Sequence, residues 1–233
     1  MRNLKLPQPF LKPFPAAETV FAEPVARYAR HLHPLVSIDM SAVDPALSGW
    51  IHLVSPIEPC DGYLGDSGKE GWGPYLQPNW IGFQLTSEHR YELLGDFRFF
   101  ALENTRGKEA YRGAREENAE FYEEQHEGFA IHKAAFQKAG QVCLIDLAGN
   151  PKPVAALSRL GGVAPVGNMH WSNVAGAAFT YSDEDKSPRT RDGRLYRFIA
   201  SVPGWHYRGA GADEILLYYD PVERIVLESF VFG

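Results

Sequence analysis

The chain has 233 residues, with 23 Lys and Arg against 29 Asp and Glu, a formal net charge of −6. That balance excludes a general nucleic-acid binder, which needs a basic footprint to neutralise phosphates, and it suits a basic protein partner. With 45% hydrophobic and 13% aromatic residues, the composition is that of a globular protein rather than a disordered one.

Residues 1–24 are interrupted by Pro7, Pro9, Pro13 and Pro15. They read as an extended arm anchored by Phe10, Phe14 and Phe21, with 25–233 as one globular domain. The prolines break the apolar run a secretory leader requires. No stretch approaches the ~20 apolar residues of a membrane span. The expected location is therefore the cytoplasm, with no membrane partner. A short helix is expected over 23–32, ended by Pro34. His31 and His33 read as part of a surface turn, because zinc needs three or four ligands and no third lies nearby in sequence.

"GWIHLVSP" (49–56) alternates as a strand does. Residues 57–79 are rich in Gly and Pro and read as a long loop of the kind that often carries function. Glu58, Asp61, Asp66 and Glu70 lie in it, but the spacing of a calcium loop is absent. Trp72, Tyr75 and Trp80 supply aromatic area that either meets a partner or pins the loop down. "WIGFQL" (80–85) and "DFRFFAL" (96–102) read as strands by β-propensity.

A long helix is expected over 108–139. At about 100° per residue, Tyr111, Ala114, Phe121, Tyr122, Phe129, Phe136 and Ala139 share one side with Asn118, Gln125 and His132. Glu116, Glu120, Glu123 and Glu127 fall together on the opposite side, flanked by Glu117 and Glu124. Carboxylates that bind metal in helix bundles project inward, so no metal site is expected here. The ridge is either a solvated helix face or a docking surface for a basic protein. Like charges at i, i+4 repel by a few tenths of a kcal/mol, which a face selected for solubility alone would avoid by mixing signs.

"QVCLIDL" (141–147) reads as a buried strand closed by the turn "AGNPKP". Residues 158–181 are Gly-rich and irregular, and 182–194 read as a charged, mobile excursion. The chain then runs through "LYRFIASV", "EILLYY" and "RIVLESFVF". The last two form a hairpin about "DPVE", with Ile225, Leu227 and Ser229 on one face and Val226 and Phe230 on the other. Strands on both sides of one long helix predict an α+β fold: mainly antiparallel sheets packed against that helix, with long irregular loops.

The two cysteines, Cys60 and Cys143, make no disulfide scaffold, and whether they pair is open. No nucleotide loop, hydrolase elbow or zinc-protease motif occurs, and no cofactor is expected. Ser/His/Asp sets assembled from distant residues leave no trace in a single sequence. Asp61, Asp66, His170 and Trp171 could line a pocket between 57–79 and 161–171. That is the enzymatic alternative, a hydrolase-like activity on a small polar molecule.

Two segments carry a resemblance. "LSRLGGVAPVGNMHW" (157–171) is similar to the Leu-Gly-Gly-x-Pro segment of the YwqG-like family of bacterial proteins. "GAGADEILLYYD" (209–220) resembles that family's later acidic, Gly-rich turn into an aromatic strand. Pro165 comes two residues late, and Glu214 and Ile215 stand where the family often has glycine. The resemblance implies an α+β sheet protein, and some relatives are regarded as immunity proteins of bacterial toxin systems. The expected function is a non-enzymatic binding protein that occludes a basic toxin through Glu116, Glu120, Glu123 and Glu127, with Trp72 and Trp80.

Overall fold

Apolar runs pair into two main antiparallel sheets, one from residues 11–56 and one from residues 76–231. A computed structural model describes residues 3–59, 62–66, 68–103, 112–165, 176–182 and 184–232, with the backbone alone for 112–118. The first sheet has the order β1 (Leu11–Pro13), β2 (Leu32–Asp39), β3 (Trp50–Pro56). Downstream come β4 (Leu76–Gln77), β5 (Trp80–Leu85) and β6 (Tyr91–Leu93), then a hairpin of β7 (Cys143–Ile145) and β8 (Pro151–Pro153). After β9 (Arg159–Leu160) follow the hairpin β10 (Phe179–Ser182) and β11 (Ser187–Thr190), then β12 (Arg197–Val202), β13 (Glu214–Asp220) and β14 (Ile225–Val231). The second sheet runs β4-β5-β14-β13-β12-β9, with β6 also on β5. Short helices α1 (Ala17–Val20) and α2 (Val25–Ala29) precede the long α3 (Arg112–Ala139), and α4 (Trp205–Arg208) follows β12. The class is α+β, with mainly antiparallel sheets and one long helix.

Both faces of the larger sheet are covered, which fixes the fate of each strand residue. Val226 and Phe230 enter the main core with Ile215, Leu217 and Phe83. Ile225 and Leu227 enter a second cluster with Trp80, Tyr218 and Phe179. The alternation expected for the last strand is therefore present. Full burial of each such side chain contributes about 1.5–3 kcal/mol.

The arm is tied in at three points. Its β1 pairs with β2, and Phe14 and Phe21 are buried. Phe14 lies 5.4 Å from Phe129 and 5.3 Å from Phe136, so it holds α3 against the first sheet.

Four local expectations are overturned. Residues 96–102 do not form a strand: the Asp96 carboxylate accepts from Arg98 N at 2.8 Å and closes a 3-10 turn, Phe97–Phe99, a side-chain cap that competes with extended backbone. His31 and His33 are not on a surface turn: both are buried, stacked on Phe100 at 4.7 Å and on Phe129 at 4.4 Å. Residues 141–147 give only a three-residue strand in a small hairpin, and Leu147 is fully exposed. Residues 182–194 hold β11 and the turn before it, closed by two hydrogen bonds from Arg189 to Asp185 at 2.7 and 2.9 Å. Phe179 and Tyr181 of this hairpin cover the outer face of the large sheet.

The 57–79 loop is fastened from inside. A Cβ at Gly71 would stand 2.0 Å from Phe99 N, and one at Gly68 would stand 1.9 Å from Phe99 O. These two glycines let the loop backbone lie directly on the 97–100 turn. Trp72 Nε1 donates to Gly65 O at 2.9 Å.

Candidate functional site

The candidate surface is the outer side of α3. No proline interrupts it, and Gly140, in the left-handed region at φ 71, ends it with its N–H on Phe136 O at 2.8 Å, a common glycine stop. A glycine inside a helix costs about 1 kcal/mol relative to alanine. Gly128 is explained by contact: its Cβ would meet Arg208 O at 2.7 Å, so the bare backbone lets α3 close on α4.

The wheel is realised at most of the described side chains, although Ala139, expected on the core side, is exposed. Tyr122, Gln125 and His132 are buried, and Phe129 and Phe136 are half-buried against the core. Glu120, Glu123, Glu124 and Glu127 are exposed. None of the four has an ion-pair or hydrogen-bond partner among the described residues. The Glu116 side chain lies outside the described residues.

Beneath the ridge, α3 covers a polar layer rather than a purely apolar one. Glu58 is buried and accepts from Ala101 N at 3.0 Å and Tyr122 Oη at 3.3 Å. Burial pushes its carboxyl up to about 7, against those two hydrogen bonds. His33 Nε2 and His126 Nδ1 share a hydrogen bond of 3.0 Å. His31 Nε2 meets Glu103 Oε1 at 3.2 Å, and Arg27 also reaches Glu103, at 3.2 Å. Burial lowers His31 to about 4 and holds His33 well below the usual imidazole range. Arg208 is buried and donates to Ile57 O at 3.3 Å and Ala210 O at 3.0 Å. Burial lowers its guanidinium to about 10. At neutral pH these imidazoles are uncharged, so the layer supports α3 without repelling it.

The other expected site residues scatter. Trp80 is buried at 1% exposure, 5.0 Å from Phe179 and 6.0 Å from Tyr218, and offers no area to a partner. Trp72 is half-buried against the core. Asp66 is exposed and paired with Lys69 at 3.2 Å. Asp61, His170, Trp171 and Cys60 lie outside the described residues. Among the described residues no group of three or more His, Cys, Asp or Glu could hold a metal ion. No helix among them is long and apolar enough to cross a membrane.

Sequence reasoning missed Glu228. It is fully buried in β14 and accepts from Val54 N with both carboxylate oxygens at 3.2 Å. The register pairs Val54 with Pro34 and shifts between Pro34 and Val36. Proline has no N–H to give, and the bulge leaves Val54 N–H facing the second sheet. The only signal in sequence was one glutamate inside a mainly apolar strand. No protein-family model, curated protein or solved structure matches the chain.

Proposed function

We propose that the chain is a cytoplasmic binding protein that docks a basic protein, of the toxin type, against the glutamate ridge of α3. The observation that carries this is the set of four exposed carboxylates within two helical turns, with no cation paired to them among the described residues. Their mutual repulsion, a few tenths of a kcal/mol per i, i+4 pair, is relieved when a cationic surface covers them. Such a ridge speeds encounter and selects partners by charge. The rigid seating of α3 through Phe14, Phe129 and Phe136 supports the ridge as a preformed surface. The resemblance of 157–171 and 209–220 to the YwqG-like family, with its immunity proteins, adds support by analogy alone.

The test is charge reversal of Glu116, Glu120, Glu123 and Glu127 to Lys. A basic partner recovered by affinity capture from the native cell is then measured against both proteins over a salt series. The expected result is a lower association rate and a flatter salt dependence in the variant. Equal rates and equal salt slopes refute docking at the ridge.

A further inference from the structure

A second constellation lies on the first sheet, away from any motif. The register sets Lys12 opposite Ser37 and Ser37 opposite His52, so three side chains form a row across β1, β2 and β3. Ser37 Oγ lies 2.8 Å from His52 Nδ1, and His52 Nε2 lies 2.8 Å from the His89 carbonyl oxygen. A carbonyl can only accept, so Nε2 carries the ring proton. The Nδ1 lone pair then accepts from the Ser37 hydroxyl. Hydroxyl, base and an orienting acceptor in line are the parts of an activated serine. Here a carbonyl takes the place of the usual carboxylate, so it fixes the tautomer but adds no negative charge.

Ser37 and His52 are buried, yet both line a cavity of about 510 Å³, a volume suited to a small ligand. Trp50, Lys12 and Arg90 complete much of its wall. Arg90 is already paired with Glu88. The Lys12 ammonium stands 3.7 Å over the Trp50 ring and has no carboxylate partner among the described residues. It is therefore the cation available to a substrate.

We propose that Ser37 and His52 are the nucleophile and general base of a site that hydrolyses small carboxylic esters bearing a negative charge, which Lys12 receives. Ser37 Oγ bonds to the acyl carbon as its proton passes to His52 Nδ1. The ester C–O bond breaks, and His52 returns that proton to the departing alkoxide. Water, deprotonated by His52, then attacks the acyl-serine and releases the acid, leaving Ser37 protonated. The net reaction is ester plus water to acid plus alcohol. Burial lowers His52 to about 4, so the base is free at neutral pH. The charged and titratable groups facing it are Lys12, Glu88, His89, Arg90 and Tyr91.

The test treats the full chain with an alkyl fluorophosphonate. Serine oxygen bonds to phosphorus, fluoride leaves, and His52 takes the proton. Intact mass and peptide mapping should show one adduct, on Ser37, absent in Ser37→Ala and slowed by on the order of 100-fold in His52→Gln. The wild-type labelling rate should stay flat from neutral pH downward and fall only near the lowered His52 value of about 4. No adduct on Ser37 in folded protein overturns the proposal, as does an unchanged rate in a folded His52→Gln. Should that variant not fold, a wild-type rate with no acid limb between neutral pH and the onset of acid unfolding overturns it instead. With p-nitrophenyl acetate and mono-p-nitrophenyl succinate, kcat/KM should favour the anionic ester by on the order of tenfold. That preference should vanish in Lys12→Gln, and a preference for the neutral ester in wild type refutes the substrate class.

Discussion

Replacing Glu58 with glutamine should change the pH dependence of stability in a specific direction. Glu58 is buried beneath α3, and its carboxyl is raised from 4.5 to about 7. An unfolded chain ionises this group above 4.5, while the folded one keeps it protonated until near 7. Its contribution is therefore fully present below pH 4.5 and is lost as pH rises to 7. At about 1.4 kcal/mol per pH unit, the loss comes to about 3 kcal/mol, with no screening discount because the group is buried. The glutamine amide does not titrate, and its oxygen can still accept from Ala101 N and Tyr122 Oη. Urea unfolding at pH 4.5, 6 and 8 measures both proteins. The variant should gain about 3 kcal/mol on the wild type between pH 4.5 and 8. Other titrating groups are common to both chains and cancel in the difference. Curves that stay parallel to within about 1 kcal/mol refute the burial argument.

Other outcomes follow from the same contacts. His31 and His52, each lowered to about 4, bind protons in the unfolded chain before the folded one, so stability should fall as pH drops from 6.5 towards 4; His31→Gln should flatten that limb in an acid-denaturation series. Glu228→Ala strands the Val54 N–H and should cost about 1–3 kcal/mol plus a cavity, whereas Glu228→Gln keeps an acceptor and should cost less by urea midpoint. Gly71→Ala places a methyl 2.0 Å from Phe99 N and should cost at least about 1–3 kcal/mol, read by thermal unfolding. Glu124→Lys sets a cation four residues after Glu120 and should raise stability by up to about 0.5 kcal/mol while slowing partner association, a pairing of effects that a merely solvated face would not show.

The legible parts of this molecule were those governed by local periodicity. The long helix and the alternating final strand rest on side-chain spacing, "WIGFQL" on β-propensity, and the structure has all three. The illegible parts depend on partners far along the chain. His31 reads as surface because nothing nearby covers it, but Glu103, its hydrogen-bond partner, lies 72 residues away, and His126, the partner of His33, lies 93 away. "DFRFFAL" has the composition of a strand, and a single aspartate cap outweighed it. The glutamate ridge could be placed from spacing. The Ser37–His52 pair could not, because two strands and the turn between them bring it together.

Strand β14 lies between β5 and β13, with Ile225 opposite Gln84. Roughly 140 residues of synthesis separate those neighbours, so a nascent chain that has made β5 holds a bare edge in the middle of its future sheet. Val54 waits for the same strand, since its acceptor is Glu228. Completion is thus postponed until the ribosome has delivered that segment, and this one long-range pairing closes late in folding. Polypeptides released before that point would present open strands to chaperones and proteases.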